Sequence, residues 1–178
     1  MKKFFYTLIM AVVAVTMLDS CLGDSVADEY KDWREKNDAW YLQQATSGDY
    51  TIVVAPWDIS AQVLMKWHND TNLNRDNLKP LLTSTADVKY RGRLYNDTPF
   101  DSSYLATSPA DSIYRSVVNQ NVEGWMIALT RMRVGDSCTV IIPYQQGYGS
   151  TTKSSVLVPF SNLVFDIKLV DIYKYVAN

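Results

Sequence analysis

The chain has 178 residues, 47% of them hydrophobic and 20% charged, with a formal net charge of -2, which suits one globular domain with an extension. The weak acidity excludes a nucleic-acid surface, which needs a basic stripe. His68 is the single histidine, so neither a histidine-rich metal site nor a triad built on histidine is expected, and no metal or cofactor is called for.

Met1-Lys2-Lys3 is a short basic start, and Phe4 to Leu18 is an almost uninterrupted apolar run, too short for a comfortable membrane span. It ends at Leu18-Asp19-Ser20-Cys21. An apolar residue three before a cysteine, with a small residue just before it, resembles the lipobox of bacterial lipoproteins. The resemblance implies a signal peptide over residues 1–20, a lipidated Cys21, and a chain held at a membrane of the bacterial envelope, on the periplasmic face or at the outer membrane, without a spanning helix. Asp19 departs from the usual small or apolar residue. The alternatives are an uncleaved anchor or an ordinary secretory signal with an incidental cysteine. With Cys21 lipidated, Cys138 stands alone and forms no intramolecular disulfide; within Ser137–Ile142 it reads as a small buried hydrophobe of a strand.

Residues 21–48 read as a tether and a helix. Val26, Tyr30, Trp33, Asn37, Trp40 and Tyr41 recur at spacings of three and four, the stripe of an amphipathic helix from about Val26 to about Ala45 that packs through Trp33, Trp40 and Tyr41. Asp24 or Ser25 caps it, and Thr46-Ser47-Gly48-Asp49 ends it.

From residue 49 the pattern changes to short strands. Candidates are Tyr50–Val54, Val63–His68, Asp87–Leu94, Ser137–Pro143 and Asn162–Ile172, with alternation clearest at Leu163, Phe165, Ile167 and Leu169. Asn69 to Pro80 is polar and loop-like. Only Glu123 to Arg131 reads as a helix in this part, with Trp125, Ala128, Leu129 and Met132 at helical spacing. The fold class is therefore α+β: an antiparallel sheet covered by one short helix, with an N-terminal helical extension. Residues 49–178 are the expected domain.

Three segments of that domain together resemble the FKBP family of macrolide-binding prolyl isomerases. They are Val88–Leu94 with Phe100-Asp101-Ser102-Ser103; Val122-Glu123-Gly124-Trp125 with Ala128-Leu129 and Met132–Gly135; and Ile142-Pro143 with Gly147-Tyr148-Gly149, Val158-Pro159 and Leu163–Ile167. The resemblance implies a sheet half-wrapped around the short helix, with a shallow apolar pocket between them. It carries Tyr90, Phe100, Asp101, Val122, Trp125, Tyr148 and Phe165 over as the pocket residues: Trp125 as floor, Tyr90, Phe100 and Phe165 as walls, the Val122 N–H and the Tyr148 hydroxyl as donors to carbonyls of the bound chain. Leu157 and Asn121 fall at the rim. Proline-containing polypeptides are the implied substrates and macrolides the implied ligands. Taken singly, Trp125 and Phe165 read equally well as core, Tyr148 as a turn residue and Asp101 as the end of a strand.

The sequence departs from the family pattern at the rim. Asn121 replaces an apolar residue. A pocket aromatic before the helix falls at or near Ser112, with Ile113 or Tyr114 as substitutes. Lys153 and Val158 also differ from the usual residues. These changes keep a second reading open, a non-catalytic chaperone or peptide-binding lipoprotein that retains the groove.

Overall fold

The computed structural model describes residues 25–176. The expected signal peptide and Cys21 lie outside the described residues. The chain divides into two units, Met1–Lys31 and Asp32–Asn178. In the first, Ser25 caps a single helical turn, α1 (Val26–Glu29). The Ser25 hydroxyl accepts from the Asp28 N–H, and the Asp28 carboxylate accepts from the Ser25 N–H, so two terminal donors are satisfied reciprocally. The expected single helix is interrupted: Tyr30 leaves helical geometry at φ -104°, ψ 19°, and α2 runs from Lys31 to Thr46. It stops where Thr46 and Ser47 hydroxyls turn back onto the Leu42 and Gln44 carbonyls and Gly48 takes φ +81°. Among the described residues no helix is long and apolar enough to cross a membrane.

The second unit is built on one seven-stranded antiparallel sheet: β1 (Thr51–Val54), β2 (Gln62–Trp67), β3 (Thr85–Leu94), β4 (Pro99–Ser102), β5 (Tyr114–Val117), β6 (Ser137–Ile142) and β7 (Leu163–Lys174), in the order β1-β2-β6-β7-β3-β4, with β5 also on β3. β4 and β5 share one edge of β3, pairing with Arg91–Arg93 and Thr85–Val88 respectively. Neither is among the strand candidates that the sequence pattern picks out. They are too short and too polar to alternate visibly, and β5 is fixed to β3 by a bidentate pair, Arg115 to Asp87 at 2.6 Å for both contacts.

The pleat sorts the side chains. Val63 and Met65, Cys138 and Val140, and Leu163, Phe165, Ile167 and Leu169 face one side. The third helix, α3 (Glu123–Leu129), buries Trp125, Ile127, Ala128 and Leu129 in the same cluster. Gly124 permits this approach, since a Cβ there would stand 2.3 Å from Cγ2 of Ile142. On the opposite face Leu64, Ile141 and Val164 form a smaller cluster, covered by Trp40, Tyr41, Ala45 and Tyr50. Trp33 stacks on Tyr95 at 5.1 Å and donates its indole N–H to Ser161 at 3.1 Å. Residues 32–46 of α2 thus form a layer of the sheet's own unit, and the expected division at residue 48 falls inside that unit.

Candidate active site

A cavity of about 200 Å³ opens between α3 and the sheet, lined by Tyr90, Asp101, Tyr114, Gln120, Asn121, Val122, Trp125, Tyr148 and Phe165. Its residues arrive from separate elements. Tyr90 comes from β3, Asp101 from β4, Trp125 from α3 and Phe165 from β7, while Tyr148 stands in the turn after a 3-10 segment, Tyr144–Gln146. Gly149 then takes φ +58°, and its carbonyl accepts from the Phe160 N–H at 2.8 Å, which ties the far end of the following loop beside Tyr148.

The floor and walls are aromatic and meet edge to face. Trp125 lies 5.0 Å from Tyr90 and 5.2 Å from Phe165, at interplanar angles of 89° and 87°. Such contacts exceed simple area burial in value. Phe100 stacks behind Phe165 at 5.4 Å without lining the cavity. Gly92 is paired with Phe165 on one side and Asp101 on the other, and both rings pass over it. A Cβ there would meet Phe100 at 2.8 Å and Phe165 at 2.9 Å.

The mouth is polar. Tyr90 donates its phenol to Asp101 Oδ2 at 2.7 Å, and the other carboxylate oxygen accepts from the Ser102 N–H at 2.7 Å. Burial, then the hydrogen bond to Asp101 and the charge of its carboxylate, hold the Tyr90 phenol well above its ordinary range. Burial likewise raises Tyr148, with the negative Asp101 adding to it. Neither the Tyr148 hydroxyl nor the Val122 N–H finds a hydrogen-bond partner among the described residues. Val122 is the N-cap of α3, where the first N–H groups of a helix lack intrahelical acceptors.

Besides Phe100, which backs Phe165 and is not a wall of the cavity, the expectations at the rim need adjustment. Ser112 does not line the cavity; Tyr114 fills that wall, 6.0 Å from Trp125 and 5.6 Å from Tyr90. Leu157 is buried in the core cluster against which Tyr148 packs and is not part of the lining. Asn121 does line the cavity, but its amide donates to Ser116 Oγ and to the carbonyls of Val117 and Val118 at 3.0–3.1 Å. A polar residue is tolerated there because it clasps the 3-10 turn Val118–Gln120. Gln120 was missed altogether; nothing in a lone glutamine before a helix signals a pocket. His68 lies away from the cavity, its Nε2 2.8 Å from Thr139 Oγ1, which donates to Asp166 at 2.6 Å.

Residues 77–170 match the profile of the family described as FKBP-type peptidyl-prolyl cis-trans isomerase. The chain is 38% identical over 95 residues to a peptidyl-prolyl cis-trans isomerase Mip of Coxiella burnetii, covering 53% of this chain and 40% of that one. It is 33% identical over 96 residues to an outer membrane protein MIP of Legionella longbeachae, covering 54% and 40%. The chain thus spans less than half the length of these curated relatives. Among solved structures it is similar to FkpA of Escherichia coli, with a TM-score of 0.67 and 17% identity over 97% of this chain and 71% of that one, a likeness of fold.

Proposed function

Because the chain belongs to the family of FKBP-type peptidyl-prolyl cis-trans isomerases, we propose that it accelerates rotation about X–Pro bonds of exported polypeptides, with the aromatic cavity as its active site. Rotation crosses a barrier of about 18–20 kcal/mol held by amide resonance, and breaks no covalent bond. It needs no nucleophile and no metal. A twisted amide separates less charge than a planar one, so the apolar floor of Trp125 and wall of Phe165 favour it over the ground state. The Val122 N–H and the Tyr148 hydroxyl hold carbonyls on either side of the proline. Tyr90 and Asp101, bound to each other, stiffen the wall, and Phe100 supports Phe165 from behind.

The observation that carries this reading is that Val122 and Tyr148, whose N–H and hydroxyl have no partner among the described residues, both line a cavity whose floor is Trp125, 4% exposed. The test is a protease-free isomerisation assay on a short X–Pro peptide. The wild type should accelerate the reaction and Trp125→Leu should abolish most of it. A folded wild type without activity favours the binding-module reading, for which the polar Asn121 on the cavity lining speaks. The same reading extends to macrolides as ligands of the cavity. It extends also to an envelope protein anchored through a lipidated Cys21, which mass spectrometry of the native N-terminus tests; an intact Met1 would overturn it.

A further inference from the structure

A second concavity, of about 870 Å³, opens at the C-terminal end of α3 and shares no residue with the aromatic cavity. Its walls are largely apolar: Pro56, Trp57, Leu78, Pro80, Leu81 and Tyr175. Four of these are substantially exposed, Trp57 by 39%, Leu78 by 58%, Leu81 by 37% and Tyr175 by 47%. The Trp57 wall is preformed, since its indole N–H donates to Glu123 at 3.1 Å.

The cations around this groove, Lys79, Arg131 and Arg133, outnumber its acids, Asp76 on the lining and Glu123 on the Trp57 indole. Lys79 and Arg133 line it, and Arg131 stands near enough to act on Lys79. Arg133 donates to the Asn77 carbonyl at 2.8 Å and Arg131 to the Val54 carbonyl at 3.0 Å. Those acceptors orient the guanidinium groups without neutralising them. No carboxylate pairs with Lys79, Arg131 or Arg133 among the described residues. The acid on the lining, Asp76, has a side chain 91% exposed and lies 3.5 Å from Arg75. Burial first, then Arg131 and Arg133, push the Lys79 ammonium below its ordinary value, which agrees with a local positive field.

We propose that this groove binds an extended polypeptide segment whose apolar side chains are flanked by carboxylates. Exposed apolar surface rimmed by charge marks interaction sites, and complementary potentials select the partner. The hollow shape favours a polypeptide over an anionic bilayer, which meets protruding side chains and does not fill a groove. A small anion would leave the apolar walls unused. α3 is seven residues long, about 10 Å at helical rise. A polypeptide held here therefore keeps its neighbouring prolines close to the aromatic cavity. That last consequence rests on the isomerase reading; binding in the groove does not.

The test is fluorescence anisotropy on the folded protein with a labelled, proline-free peptide of leucine and glutamate, and a counterpart carrying lysine for glutamate. Only the acidic peptide should bind, and added salt should weaken it. Lys79→Glu and Leu78→Ser should each weaken it by roughly tenfold, while isomerisation of a short X–Pro peptide stays at the wild-type level. Equal binding of the two peptides, or unchanged affinity in both variants, would overturn the proposal. So would binding to phosphatidylglycerol vesicles in place of the peptide.

Discussion

Asn37 and Asn162 hold each other twice: the Asn162 N–H donates to Asn37 Oδ1 at 2.8 Å, and Asn162 Nδ2 donates to the Asn37 carbonyl at 2.7 Å. Both residues are at most 1% exposed. Asn37 Nδ2 also donates to the Trp33 carbonyl, and Asn162 Oδ1 accepts from the Tyr144 N–H, each at 2.9 Å. One amide pair therefore locks α2 to the entry of β7 and to the turn that leads to Tyr148.

Asn37→Ala should destabilise the fold by about 1–3 kcal/mol, because the Asn162 N–H is then buried without an acceptor. Urea unfolding should show a lower midpoint at an unchanged slope. An unchanged midpoint would mean that α2 is not integral to the unit.

Gly92 is the site where stability and activity meet. Gly92→Ala places a methyl within 3 Å of both the Phe100 and Phe165 rings, and such overpacking costs about 1–3 kcal/mol. Phe165 is a wall of the cavity, so the variant should lose catalytic efficiency on a short X–Pro peptide beyond what its folded fraction explains. Full activity per folded molecule would show that the Phe165 position is not critical.

Cys138 is fully buried and its thiol is pushed up to about 12, by burial first and then by Asp136 and Asp166. It should resist alkylation at pH 8 until the protein unfolds. The sign for stability follows from the proton count. Above the ordinary thiol value of 9.0 the unfolded chain loses a proton that the native state keeps, so stability falls as pH rises towards 12. Cys138→Ala should flatten that part of the pH profile in thermal melts; an unchanged profile would assign the fall to other groups.

The site was legible wherever a residue's chemistry is tied to a local pattern. Gly-Trp at a helix start, Gly-Tyr-Gly in a turn and the alternating run to Phe165 each stand in short contiguous segments, and the structure brings them to one cavity. What escaped depends on contacts remote in sequence. β5 is tied to β3 by Arg115 and Asp87, 28 residues apart, and it delivers Tyr114 to the wall, a choice between Ile113 and Tyr114 that the sequence leaves open. Ser112 takes φ +62° in the preceding turn, which periodicity cannot reveal. Asn37 looked like an odd polar member of an aromatic stripe; its partner is 125 residues away. The break at Tyr30 was hidden because its side chain continues the same stripe.

Tyr148 offers the most direct test of how the cavity works. Its phenol is half-buried and its titration is displaced upward by burial and by Asp101, so it remains a protonated donor throughout the neutral range and through pH 9. Catalytic efficiency on an X–Pro peptide should therefore be flat between about pH 6 and 9, since the unperturbed tyrosine value is already about 10. Tyr148→Phe removes the donor while keeping the ring against the core. A hydrogen bond is worth about 0.5–1.5 kcal/mol net, so the expected loss is roughly a few-fold to tenfold at every pH, with little change in stability. His68→Ala should leave the profile untouched, because its ring nitrogen is engaged with Thr139 away from the cavity. A steep neutral-pH dependence that vanishes in His68→Ala would instead require acid–base chemistry. That outcome would overturn a mechanism of desolvation and positioning.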